Sequence, residues 1–320
     1  MFQVASRHSV VPEALNLASA HYSYPVEQKL NVPRRLARPS FTEPARDAVA
    51  RIDPGLASVP IEYIRKTLAG NANETLTAMS LLTIPGSLPC AHLPPAIDAP
   101  IRPSSRMPDI SAFPTHVFAI LSSRSSATTP TIASFADKSS LSPSMTVPLY
   151  PASALVMAAH CALLPPLPQM PRSAGRRAAL TLPIVPLTVP SPETYTLLHA
   201  YLHTMRPDTL LASLLPALTS ALPHISSSGS SAGANKLVYV AQFSSERLVR
   251  LASALAGAAF QRGGSTQAAM SGLMNHIKLI NGLWQNVCAL GVFDAELWGV
   301  MDLAWEIVLA AMTKVMDNKA

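Results

Sequence analysis

Three hundred and twenty residues, 49% of them hydrophobic and only 13% charged, can build a sizeable core in one large domain or two ordinary ones, with few charges left to solvate the surface. A formal net charge of +6 raises nucleic acid as a partner, but the basic residues are thinly spread. Their two local groups, Arg34/Arg35/Arg38 and Arg172/Arg176/Arg177, are not interleaved with aromatics, and no run reaches the roughly 18 apolar residues of a membrane span.

Proline divides the chain: all 30 lie at or before Pro223, and all 3 tryptophans, Trp284, Trp298 and Trp305, lie after it. Residues 1–110 mix Pro, Ser, Arg and short apolar pieces such as NVPRRLARPS without sustained periodicity. They predict a largely disordered tail, with one short helix near 60–82 where PIEYIRKTL has helical spacing. The opening stretch MFQVASRHSVVPEALNL has no charged start followed by an apolar core and a cleavage site, so an intracellular chain is expected. Cys90, Cys161 and Cys288 are scattered without C-x-x-C spacing and read as free thiols.

Residues 111–224 alternate short strands with helices. THVFAILSS (115–123) is β-branched and aromatic, and MTVPLYPASALVMAAHCALL reads as a strand ending near Tyr150 and a helix from about Pro151. AALTLPIVPLTVP is extended, its prolines confining it to a sheet edge or to irregular structure. Ser191 then supplies an N-cap, Pro192 suits the first helical position and Glu193 favours the positive end of the helix. Tyr195, Leu198, Tyr201, Leu202 and Met205 form the apolar face of that helix, Pro207 stops it, and Asp208 is expected to cap another helix over 209–222.

SSSGSSAGAN marks a flexible linker, 225–235. The Pro-free remainder, 236–320, opens at KLVYVAQF as a short strand or helix entry. Helices follow over about 244–260, 266–290 and 295–316, the last capped by Asp294 and carrying one apolar stripe from Leu297 to Val315.

Chemistry is scarce. His199 and His203 stand four apart on one helical face, as a zinc pair requires, but a metalloprotease helix places a glutamate after the first histidine and here Ala200 follows. Structural or surface roles at the edge of the apolar stripe fit the pair better than metal. His160 and Cys161 are adjacent, so on a helix they point about 100° apart, which does not suit a base and its nucleophile. Serine-hydrolase, phosphate-loop and dinucleotide glycine patterns are absent. The sequence therefore predicts no enzyme, no catalytic residue, no metal and no cofactor.

The blocks TVPLYPASALVMAAHC and LTLPIVPLTVPSPETYTLLHAYLHTMRPDTLLASLLPAL resemble the BTB/POZ pattern: strand, helix, second strand, then a helix opened by an S-P-E cap and closed by a turn that reads Y-L-H-T. They depart from it in the Pro-rich insert 165–172 and in the absence of a first strand with a leading acidic residue. With GLWQNVCALGVFDAELWGVMDLAWEIVLAA (282–311) they are similar to the clampless family of basidiomycete sexual-development regulators. The resemblance implies an α+β fold: a divergent BTB/POZ-like module at 111–224, a helical region at 236–320 and a largely disordered N-terminal tail.

It implies a non-enzymatic nuclear protein, with some presence in the cytoplasm left open, acting in clamp-cell formation and dikaryon growth. Its expected partners are homeodomain or zinc-finger transcription factors of the mating pathway, with a homo-oligomer as an open alternative and no membrane or direct nucleic-acid contact expected. A cullin ubiquitin-ligase adaptor and a sequence-tolerant nucleic-acid binder are the alternatives. The candidate interaction residues are Tyr195, His199, His203, Trp284, Trp298 and Trp305, although three tryptophans in one helical hairpin read first as its core.

Overall fold

A computed structural model of the protein describes residues 32–123, 146–169, 178–225 and 239–317. A segment without helix or strand, 32–45, bent at Arg34 and Arg35, leads into α1 (Arg46–Ile52), α2 (Ile61–Gly70) and α3 (Ala72–Leu81). Five strands follow with one helix among them: β1 (Ser87–Pro89), β2 (Ala96–Pro100), β3 (His116–Ser122), β4 (Thr146–Ala152), α4 (Ala154–His160) and β5 (Ala179–Val189). Then come α5 (Pro192–Thr204), α6 (Pro207–Leu214), α7 (Ser245–Gly263), α8 (Thr266–Leu290) and α9 (Ala295–Asp317). The chain is α+β.

The strands form one mixed sheet in the order β1-β4-β3-β5-β2, with β3 and β5 parallel and the other neighbours antiparallel. Successive β3 residues face opposite ways. Phe118 and Ile120 join a core with β5, α4, α5 and the C-terminal helices, while Val117 and Ala119 join a second core with Ala78, Leu82 and Phe113. Because both faces are covered, β3 reads VFAI, an unbroken apolar run.

That two-sided burial explains why residues 32–110 are not the tail that their composition predicts. They carry three helices and two strands: α1 and α2 pack on α4, while α3 and the chain around β1 and β2 cover the face of the sheet that the C-terminal helices do not reach. Residues 1–31 lie outside the described residues, as does the linker beyond Ile225. The helix expected near 60–82 is two helices, broken at Asn71. The division at 225–235 is not a packing boundary either, since β3, β5, α5 and α6 share their core with α7, α8 and α9.

Two local expectations are also corrected. β5 lies inside the sheet by order, yet its halves pair on different sides: 179–183 with β2 and 184–189 with β3. The N–H of Ile184 faces β2, donating to the Pro95 carbonyl at 2.9 Å. By the strand's alternation the imide nitrogen of Pro186 faces the same way, where the ladder to β2 has already ended, so no bond is lost. Asp208, expected as a cap, is instead inside α6, whose N-cap is Arg206 with Pro207 at the first position. Its buried carboxylate accepts from Arg206 Nε at 2.8 Å and Nη2 at 2.6 Å and from the Ile225 N–H at 3.2 Å. Burial works against the charged form, but these donors outweigh it and hold the carboxyl below its ordinary range.

The C-terminal helices agree with their apolar periodicity, and Asp294 caps α9 through Oδ1, which accepts from the Leu297 N–H at 2.8 Å. α8 ends at Gly291, whose φ of +63° favours glycine. A Cβ there would also stand 2.9 Å from Leu163, where the chain leaving α4 bonds to Leu290 and Gly291 carbonyls.

Candidate functional site

The periodicity of α5 does put His199 and His203 on one face, with ring centroids 4.3 Å apart. That face points inward, onto the corner where β4 passes into α4. His199 Nε2 donates to the Pro151 carbonyl at 2.8 Å, since a carbonyl only accepts. His203 Nδ1 donates to the His199 carbonyl at 2.8 Å, which leaves Nε2 to accept the Ser153 N–H at 3.2 Å. The lone pair of His203 that a metal would need is thus committed to the backbone. Burial pushes both imidazoles down, to about 3 for His199, where the neighbouring His203 adds to the effect, and to about 4 for His203. Both are neutral braces at the edge of the apolar stripe: His199 is half-buried, and His203 is buried because α4 and β4 cover that edge. Among the described residues no group of three or more His, Cys, Asp or Glu is placed to hold a metal.

His160 and Cys161 are poised against nucleophilic chemistry. Burial lowers His160 to about 4 and raises Cys161 to about 12, so the base is weak and the thiol stays protonated. Cys161 also forms an antiparallel bridge with Val292, tying the end of α4 to the turn after α8.

A polar joint fixes α5 to the helical region at both ends. Ser191 precedes α5, but its side chain makes no cap bond. The buried amide of Asn286 on α8 does the capping: Oδ1 accepts from the Ser191 N–H at 3.0 Å, and Nδ2 donates to the Ser191 carbonyl at 2.7 Å and to Thr194 Oγ1 at 3.0 Å. Gly282 permits this approach, since a Cβ there would meet Ser191 Oγ at 2.4 Å. At the other end, Tyr201 donates its phenol to Asp294 Oδ1 at 2.6 Å. Tyr195, expected at an interaction surface, is fully buried in the core.

The tryptophans do two kinds of work. Trp298 is core, its indole N–H donating to the Val292 carbonyl at 3.3 Å. Trp284 and Trp305 belong to the same core and in addition hold a strap, residues 32–41, bent at Arg34 and Arg35, along α8 and α9. Trp305 donates to the Pro33 carbonyl at 3.0 Å and Trp284 to the Ala37 carbonyl at 2.6 Å. Between these points Leu36 enters the main core and is the one buried residue of 32–41. Arg38 pairs with Asp302 and lies over the Trp298 ring at 5.5 Å, and Phe41 packs on Phe293 at 4.3 Å between centroids. A cleft of about 820 Å³ remains beside the strap, with Arg34, Arg35 and Arg38 on one wall and Asp302, Glu306 and Leu309 on the other. Arg172, Arg176 and Arg177 lie outside the described residues.

The structure therefore gathers Trp284, Trp298 and Trp305 with the strap, leaves Tyr195 and His203 to the interior and His199 half-buried at its edge. Sequence reading missed the strap because a segment without helix or strand has no period. Its one signal was Val32-Pro33 and Arg38-Pro39, since proline holds the residue before it extended. Asn286 was also missed, although a polar residue amid the apolar end of α8 marks a position that must find buried partners.

Comparison with known proteins supplies a family. The Clampless protein 1 N-terminal domain matches residues 39–190, and the Clampless protein 1 C-terminal domain matches 208–320. Clampless protein 1 of Cryptococcus neoformans var. neoformans serotype D is 26% identical over 147 residues in each of two strains, JEC21 and B-3501A. That stretch is 46% of this chain and 24% of the relative, so the chain spans about a quarter of the curated relatives it matches. No solved structure matches. The chain belongs to the Clampless protein 1 family.

Proposed function

We propose that this chain, as a member of the Clampless protein 1 family, is a non-enzymatic regulator of fungal sexual development that acts in clamp-cell formation and dikaryon growth by binding transcription regulators in the nucleus. The observation that carries this reading is the family match across both halves of the chain. The geometry adds a physical means. His160, Cys161, His199 and His203, the residues singled out for chemistry, are neutral, protonated or bonded to backbone, whereas α8 and α9 present a face that already holds a segment of the chain through indole donors. A surface with few charges suits a protein that spends its life against a partner.

The central unit is proposed as a divergent BTB/POZ-like module. Its order supports this: the β3–β4 pair, then α4, then β5 returning parallel to β3, then α5 and α6. Affinity purification of the tagged chain from mating cells, read by mass spectrometry beside a clamp-formation complementation assay, tests the proposal. Homeodomain or zinc-finger regulators in the eluate, with restored clamps, are the expected result. A cullin in their place would make the module a ubiquitin-ligase adaptor. Restored clamps with neither would remove the transcriptional reading.

A further inference from the structure

We propose that the face of α8 and α9 beneath residues 32–41 is a docking groove for a basic segment of a partner protein, and that residues 32–41 are its resident competitor. This rests on the reading that the protein works by contact, and it names the surface and the chemistry of what binds there. Recognition begins with the backbone. Trp305 and Trp284 donate to carbonyls four residues apart, Pro33 and Ala37, so neither indole reads a side chain. Any chain that takes the same bent path with that spacing satisfies them.

Selectivity comes from two further points. Leu36, three residues after Pro33, fills an apolar socket continuous with the main core. Arg38, two residues later, meets the Asp302 carboxylate and the face of Trp298. The groove thus fits a segment whose first carbonyl is followed by leucine at the third position and arginine at the fifth. Charge favours the same class of occupant, since Asp302 and Glu306 line the open cleft beside the strap.

The resident segment is built to leave. Among the described residues, no residue of 32–44 takes part in a backbone–backbone hydrogen bond, and within 32–41 only Leu36 is buried. Among the described residues its hold is one buried leucine, the half-buried Val32, two indole bonds, an exposed ion pair and two ring contacts. Each is a contact that an incoming segment of the same pattern makes in its place, so exchange needs no rearrangement of the helices.

The probe is a fluorescein-labelled peptide of sequence NVPRRLARPSFTE, residues 31–43, titrated by fluorescence anisotropy into the full chain. The Leu36→Asp variant, its own strap expelled, binds the peptide at least tenfold more tightly than the wild-type chain. Adding Trp305→Phe to that variant weakens binding roughly fivefold, the worth of one hydrogen bond. A peptide with glutamate at the Arg38 position binds more weakly still. Arg38→Ala, which loosens the strap without placing a charge in the core, gives a smaller gain in the same direction and serves if the aspartate variant does not fold. Equal binding to wild-type and expelled-strap chains, or no binding to a natively folded variant, overturns the proposal. A dimer in light scattering that the variant abolishes would make a second copy the occupant and overturn it too. These are readings on purified protein, so they stand or fall apart from the outcome in mating cells.

Discussion

Helices α8 and α9 hold two other parts of the chain, and they do so by opposite means. On one side α5 is joined to them through buried polar groups: the Asn286 amide on Ser191 and Thr194, and the Asp294 carboxylate on Tyr201. On the other side the strap 32–41 is joined through indole bonds to carbonyls and one buried leucine. In the first joint a lost partner strands a polar group away from water, so it opens only with the fold. In the second, water can replace most of what is lost. The difference separates what holds this protein together from what it can offer to another.

The first way to break that comparison is Asn286→Ala. It removes three hydrogen bonds inside the core and leaves the Ser191 N–H unpaired, while the Ser191 carbonyl still accepts from Thr194, so we expect a loss of about 3 kcal/mol in urea unfolding. Gly282→Ala attacks the same joint by volume, and about 1–3 kcal/mol is expected because Ser191 and Thr194 must move.

Acid sharpens the comparison next. His160, His199 and His203 all have folded values lowered below 6.5 by burial, to about 4, 3 and 4. Unfolding therefore takes up protons below pH 6.5, and the stability present above 6.5 is lost as pH falls towards 4. The slope is on the order of 1 kcal/mol per pH unit for each histidine. Unfolding midpoints measured from pH 7.5 to 4.5 should fall steeply, and His203→Gln should flatten the profile.

Smaller effects belong to the strap. Leu36→Asp should cost no more than about 2 kcal/mol, because the strap detaches and the helices beneath it stay folded. Arg38→Ala should stay within about 0.5 kcal/mol, since the pair it breaks is exposed at both ends. Equilibrium unfolding resolves the first, and the second is expected to fall within its error.

The two sides also differ in how far they were legible. The joint's secondary structure was readable, since α5, α8 and α9 have clear apolar periods and recognisable ends. Its chemistry was not. Ser191 has the right residue type for a cap, but the bonds come from Asn286, nearly a hundred positions on, and only the fold brings the two together. The same holds for His199 and His203. Spacing put them on one face but could not say that β4 and α4 would cover it.

The strap and the whole of 32–110 were misjudged for a different reason. Sparse periodicity and many prolines describe chain that covers a surface as well as chain that covers nothing. For α3 and the chain around β1 and β2, what distinguishes them is β3, whose unbroken apolar run demanded a cover on both faces. The tryptophans fell between: all three belong to the core, as a helical hairpin predicts, and two of them also hold a segment at the surface, which no spacing rule reveals.

The most direct measurement is hydrogen exchange of the three indole N–H groups by ¹⁵N NMR. Trp298 is bonded inside the core, and Trp284 and Trp305 are bonded to the strap. Trp284 and Trp305 should exchange far faster than Trp298, and Leu36→Asp should speed those two while leaving Trp298 unchanged. Exchange of all three at one rate, set by global unfolding, would show that the strap is as fixed as α5 and would contradict the distinction between the two joints.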